Sequence, residues 1–450
     1  MLYRKAYDYL MNWKSNVKKK ALLITGARQI GKTYIIRKFG NDNYENFIEI
    51  NFITNPDAAK IFSGDLSAET IIINLTAYTK KSVKPGKSLI FFDEIQECPE
   101  ARTAIKFLVD DGRFDYIESG SLLGVNYKTV KSYPVGYEDI YQMYPMDFEE
   151  FALANGLQKN TVEYLRKCYT DVETVSESVH LSMQKLFRYY VIVGGMPAAV
   201  QAFVDTNDIA EVLRVQNDII ALYRQDITKY SSNNQEKIKS IFDMIPAELN
   251  DKNRRFMLTD IKNTARMLRY ETSFNWLVDA GVALPCYNIT EPKLPLELNT
   301  QSNLFKLFLC DTGLLCAMSL GNIQFDILQG DMSVNMGSIL ENMFAQIFTA
   351  NSFDLRYYNK KKIGEIDFII QQGKSVVPVE IKSGNDYTSH SALNNLLAVE
   401  EWKLSKAIVF CKGNVKQDDK ITYYPWYMSM FFKQEKLPDS LKVDIDIVII

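Results

Sequence analysis

The residues with the clearest chemical potential lie between positions 26 and 33, where the chain reads GARQIGKT. Gly26 and Gly31 let the backbone wrap closely, so the amides of Ala27, Arg28, Gln29 and Ile30 and the start of the next helix can face phosphate oxygens. Lys32 is placed to meet the β- and γ-phosphates of a nucleotide, and Thr33 to offer its hydroxyl to Mg²⁺. A second group follows in LIFFDEIQ, residues 89–96. Four apolar residues end in Asp93, which a buried strand delivers to the edge where open α/β sheets bind ligands. Asp93 would hold the hydration shell of Mg²⁺, and Glu94 would orient or deprotonate an attacking water. Read alone, the Asp-Glu pair would merely cap the following helix; beside a phosphate loop the chemical reading is preferred. ESGS, further on, makes Ser119 and Ser121 candidates to sense the γ-phosphate. Arg28 serves equally as a loop anchor or a nucleotide contact, and no arginine finger can be named.

A third group sits in GEIDFIIQQGKSVVPVEIKSG, residues 364–384. With a turn centred on Gln372-Gly373, Asp367 lies opposite Pro378 and Glu380 opposite Glu365. Side chains alternate along strands, so Asp367, Glu380 and Lys382 share one face, and a one-residue slip would break that. Two carboxylates on one face can hold a hard cation such as Mg²⁺, with the lysine steadying charge on a phosphodiester. The competing reading is a structural ion pair on a half-buried strand. Pro378 lacks a ladder donor, which predicts a bulge or an edge there.

These groups need elements to carry them. Apolar runs at 21–25, 46–52, 88–93 and 114–119, with a fifth inside YPVGYEDIYQMYPM, alternate with helical patterns, the signature of a parallel α/β sheet covered on both faces. From about 150 to 230 the text is helical, broken by VGGMPAAV, which must be a turn or a helix start. Helices followed by a small ribbon between 235 and 290 suggest a winged helix; Arg254, Arg255, Lys262, Arg266 and Arg269 there are expected to be a solvated face rather than a DNA-reading surface. The last part orders as helix 337–350, strands 354–359, 364–370 and 375–383, helix 390–402 and strand 406–411, and the terminal VDIDIVII reads as a further strand. The domain expectation is 1–150, 151–234, 235–330 and 331–450.

Composition sets the outer limits. At 450 residues, with 47% hydrophobic and 24% charged residues, the chain can form two or three domains. A net charge of −3 gives no global attraction to nucleic acid, so such contact needs a local patch. Six scattered cysteines without a CxxC spacing point to reduced thiols, and two histidines argue against zinc. No run approaches a membrane span or a signal peptide, so a cytoplasmic protein without a membrane partner is expected.

LLITGARQIGKT, FFDEIQECPEARTAIKFLVDD, ESGSLLG and YPMDFEEF together resemble a family of prokaryotic AAA-type P-loop ATPases. VGGMPAAV, LFLCDTGLL, GSILEN, EIDFII and PVEIKSG resemble its usual C-terminal partner, an uncharacterised domain ending in a nuclease-like module. The resemblance spans about residues 15–385. It implies ATP binding and hydrolysis, a sheet of strand order 5-1-4-3-2, and a restriction-endonuclease-like, PD-(D/E)XK-type α/β module in which Glu341, on the opening helix, is the third carboxylate. The expected function is a Mg²⁺-dependent ATPase acting as a switch or motor. The alternatives are an ATP-gated, metal-dependent nuclease acting on nucleic acid, and a non-enzymatic ATP-bound sensor that binds a protein partner. The trigger and the oligomeric state stay open.

Overall fold

The computed structural model describes residues 2–17, 19–120, 134–230, 234–250, 270–319 and 336–435. Five strands form the first sheet: β1 (Ala21–Thr25), β2 (Asn46–Asn51), β3 (Ser88–Asp93), β4 (Asp115–Ser119) and β5 (Glu138–Gln142). Their order is β2-β3-β4-β1-β5 and every pairing is parallel, which is the expected 5-1-4-3-2 read from the other edge. The runs that are apolar throughout became the central, fully buried strands, whereas NFIEIN and EDIYQ became the partly exposed edges. Successive residues of one strand feed two separate cores. Leu22, Ile24, Leu89 and Phe91 join the face carrying helices Lys5–Ser15 and Lys32–Asn43. Ala21, Leu23, Ile90 and Phe92 join the face carrying helices Ala68–Thr79 and Pro99–Asp111. That two-sided burial is what fixes the ends of β1 and β3, and hence the loops that follow them.

Helices from Phe148–Ala154 to Gln235–Asn250 make up the middle of the chain. Within VGGMPAAV, helix Glu177–Val193 stops at Gly194, whose φ of +72° suits glycine, and helix Pro197–Thr206 starts with proline in its first turn. Helix Glu271–Asp279 then leads into the antiparallel ribbon of β6 (Ala283–Ile289) and β7 (Thr300–Leu309). The cations at 254–269 lie outside the described residues, as do Ser121 and VDIDIVII.

The ribbon is not a free-standing wing. β6 pairs in parallel with β8 (Arg356–Lys360), which pairs with β9 (Gly364–Ile366), giving a sheet ordered β7-β6-β8-β9 across the expected boundary at 330. A further sheet, ordered β10-β11-β12-β14-β13, holds β10 (Phe368–Gln372), β11 (Ser375–Ile381), β12 (Ala407–Cys411), β13 (Lys416–Asp418) and β14 (Ile421–Pro425). The run at 364–370 therefore divides at Asp367, with β9 serving one sheet and β10 the other.

The hairpin differs from its expected register. Gln372 pairs with Ser375, so Gly373 and Lys374 form the turn, with Gly373 at φ +57°. Pro378 lies opposite Ile369, and Glu365 pairs with Asn359 in the other sheet, so neither expected opposition holds. Moving the turn centre by one residue shifts the pairing by two, which keeps the alternation, and Asp367 and Glu380 remain on one face. Pro378 makes no bulge, but its β12 side is an open edge. The ladder to β10 runs through it unbroken, and pairing to β12 begins only at Val379. Among the described residues no helix is long and apolar enough to cross a membrane, and all six cysteines are free and buried.

Candidate functional site

The loop after β1 ends at Gly31, which caps helix Lys32–Asn43 with φ +89°. Gly26 takes φ +141°, and a Cβ there would meet the Met143 carbonyl oxygen at 2.2 Å, so only glycine fits between the loop and the end of β5. Gln29 is also left-handed, at φ +65°, which completes the tight winding. The Lys32 ammonium curls back into the loop and donates to the carbonyls of Gly26 (3.0 Å) and Ala27 (2.7 Å). Burial lowers its pKa to about 8, against the attraction of Glu94 and Asp93.

β3 delivers Asp93 beside this helix start. Thr33 Oγ1 donates to both carboxylate oxygens of Asp93 at 3.2 Å, and the Ser119 hydroxyl, from the end of β4, donates to Oδ1. Asn51, at the end of β2, donates to Oδ2 at 2.8 Å. Two strand ends and a helix start thus fix one buried carboxylate, and it caps no helix. Glu94 follows in the left-handed region (φ +55°) with no capping bond, and its Oε2 accepts from Gln96 Nε2 at 2.6 Å. Thr33 and Asp93 together present hard oxygen donors of the kind Mg²⁺ takes alongside phosphate oxygens and water. Ser119 lies at the site as expected, but its hydroxyl is occupied with Asp93. Asn51 was missed; the signal was an asparagine ending an alternating strand beside the Asp93 strand.

Arg28 points away from the loop to Asp226 on helix Ile209–Tyr230, and Tyr223 of that helix donates to the Arg28 carbonyl at 3.0 Å. The Gly-Gly-Met-Pro turn also abuts the loop: Pro197 Cγ lies 3.8 Å from where a Cβ on Gly31 would be. The turn is held in turn by Asp311, whose carboxylate accepts from the Gly195 amide (2.6 Å) and the Leu314 amide (3.0 Å). Gly195 O accepts from the Met146 amide at 2.7 Å. The VGGMP and CDTG motifs, far apart in sequence, thereby meet behind the phosphate loop.

The second candidate group lies elsewhere. Glu341, on helix Met336–Ala350, is 2% exposed, and Glu380, on β11, is 5% exposed. Asp367 Oδ2 accepts from the Ile381 amide at 2.8 Å, and Lys382 Nζ lies 3.4 Å from Glu380 Oε2. Burial, with the nearby Asp367 carboxylate, pushes Glu380 up to about 8. Sequence reasoning missed Lys306 of β7, which is fully buried and sits 3.2 Å from Glu341 Oε2 and 2.6 Å from Glu365 Oε1. Its signal was a single lysine inside the apolar run LFKLFL. Among the described residues no three acidic, histidine or cysteine side chains are arranged to hold a metal ion.

Residues 18–152 match the AAA domain family. The class this defines is an AAA-type P-loop ATPase domain. Residues 184–324 and 336–428 match two domains of unknown function (DUF8612 and DUF4143). A stretch of 81 residues, 18% of this chain, is 32% identical to a UPF0102 protein of Aliarcobacter butzleri and covers 72% of it, so over that stretch the chain belongs to the UPF0102 family. Solved structures overlay loosely. The Walker-type ATPase of Pyrococcus abyssi is 15% identical, with 71% of this chain and 96% of that one covered and a TM-score of 0.41. The Orc1 protein of Aeropyrum pernix, in complex with DNA, is 12% identical, with 74% and 93% covered and a TM-score of 0.31. The RuvB Holliday junction branch migration motor of Thermotoga maritima is 12% identical, with 63% and 89% covered and a TM-score of 0.29.

Proposed function

We propose that the protein binds ATP with Mg²⁺ at the 26–33 loop, hydrolyses it, and uses the cycle as a switch on the modules that follow. The observation that carries this reading is the meeting of Thr33 with Asp93 at 3.2 Å, beside Lys32 and immediately before Glu94. Thr33 and Asp93 would hold Mg²⁺, which when bound neutralises and orients the β- and γ-phosphate oxygens. Lys32 exchanges the Gly26 and Ala27 carbonyls for phosphate oxygens, which it meets as a full positive charge. The loop amides and the helix start face the same anion. Glu94, held by Gln96, takes the proton of the attacking water on its carboxylate. Arg28–Asp226 and Tyr223–Arg28 support the switch: a loop that rearranges around phosphate moves against helix Ile209–Tyr230.

Lys32→Ala is expected to weaken ATP binding by ten-fold or more, since a hydrogen bond to a charged group contributes about 1.5–3 kcal/mol; equilibrium binding of a fluorescent ATP analogue measures it. An unchanged affinity would remove the assignment. Lys32 also gives the binding a pH signature. With its pKa lowered to about 8, the free site is partly deprotonated above that pH, whereas the bound site needs the ammonium. Affinity should fall as pH rises through 8, with proton uptake on binding, seen by calorimetry in buffers of different ionisation enthalpy. Asn51→Ala, by removing one of the Asp93 donors, is expected to raise the Mg²⁺ concentration for half-maximal turnover about ten-fold or more, for a bond to a charged group of about 1.5–3 kcal/mol. ATP retained without turnover by the unaltered protein would favour the non-enzymatic sensor.

A further inference from the structure

Four carboxylates, of Glu341, Glu365, Asp367 and Glu380, and two ammonium groups, of Lys306 and Lys382, gather where the middle segment meets the C-terminal module. A carboxylate set of this kind is the usual seat of a hard divalent cation, whose oxygen ligands stand at roughly 2.0–2.6 Å. Here the residues do not fit one. Glu341 Oε2 and Glu365 Oε1 face a common centre already filled by Lys306 Nζ, at 3.2 and 2.6 Å. Lys306 is fully enclosed, and its ammonium also lies 4.9 Å from the centre of the Tyr357 ring. Asp367 is turned to the Ile381 amide, and Glu380 to Lys382.

We propose that Lys306 is the resident cation of this cluster: its ammonium takes the place of a divalent ion between Glu341 and Glu365, so the module binds no metal there while β7 is seated. The lysine is delivered from outside the module, on a strand of the preceding segment, and it is held in place. Asn342, next to Glu341 on the helix, brackets the backbone of Leu309 by accepting from its amide (2.7 Å) and donating to its carbonyl (3.1 Å). The same asparagine donates to Thr312 Oγ1 at 2.9 Å. These bonds tie the end of β7 to helix Met336–Ala350, so the strand that carries Lys306 is anchored to the helix that carries Glu341. Burying a lone ammonium or lone carboxylates is strongly unfavourable, so each side requires the other or a substitute cation.

The test is Mn²⁺ binding, read by electron paramagnetic resonance of free Mn²⁺ and by thermal melting, with nucleotide absent and with Asp93→Asn as the parent to silence the phosphate-loop site. The parent is expected to bind no Mn²⁺ and to melt at the same temperature with or without it. Adding Lys306→Met, which keeps the unbranched apolar stem and removes the terminal ammonium, is expected to create one Mn²⁺ site and a melting temperature that rises with Mn²⁺. A folded Lys306→Met variant that gains no site would overturn the proposal. So would Mn²⁺ bound by the parent and lost in Glu365→Gln, and that comparison decides the matter if Lys306→Met does not fold.

Discussion

Glu94→Gln is expected to lower ATP turnover by about 10²–10⁴-fold, the usual contribution of a positioned general base, while ATP binding stays within a few-fold of the unaltered protein. The amide keeps the shape of the side chain and can still meet Gln96, but it cannot take a proton from water. Glu94 makes no capping bond and its main chain is held in the left-handed region, so the substitution leaves the fold untouched. Single-turnover hydrolysis beside equilibrium binding separates the two quantities. Parallel loss of both would recast Glu94 as a structural residue of the loop, and unchanged turnover would strip it of any role.

Asp311→Ala is expected to cost several kcal/mol of stability and, with it, much of the ATPase activity. The carboxylate serves the amides of Gly195 and Leu314, all of them buried, and each donor left without a partner costs about 1–3 kcal/mol. The Gly195 amide belongs to the turn that seats Pro197 beside Gly31, so the damage reaches the phosphate loop. Chemical denaturation measures the first effect. The second is read as weaker ATP binding under conditions where the variant is still folded. Asn at this position keeps one acceptor oxygen for two amides that bond different oxygens, so it should recover only part of the stability. A variant that is as stable as the parent would mean that the turn finds other partners.

How much of this was legible depended on how far apart the partners lie. β1 and β3 could be read because strands buried on both faces are apolar almost throughout, and Lys32, Thr33, Asp93 and Glu94 are placed by the ends of those strands. The strand order followed from the family likeness, and the parallel pairings bear it out. In the hairpin the alternation survived although the register did not, because Gly373 rather than Gln372 opens the turn. What escaped was chemistry made by distant pairs. Asp311 meets Gly195 across 116 positions, and Arg28 meets Asp226 across 198. Lys306 looked like one charge in a ribbon, since nothing local says that Glu341 and Glu365 will close over it. The break at Asp367 was also invisible, because a strand that changes sheets keeps its alternation.

The sheet β7-β6-β8-β9 has a consequence for how the chain is made. β6 leaves the ribosome at residues 283–289, but its parallel partner begins only at Arg356. Until then the nascent ribbon shows an unpaired edge, with Lys306 lacking its Glu365 partner, which is the condition in which strands pair with the wrong chain. A premature stop between 320 and 350 would make that exposure permanent, so such a fragment belongs in the insoluble fraction even though its ATPase sheet is entire.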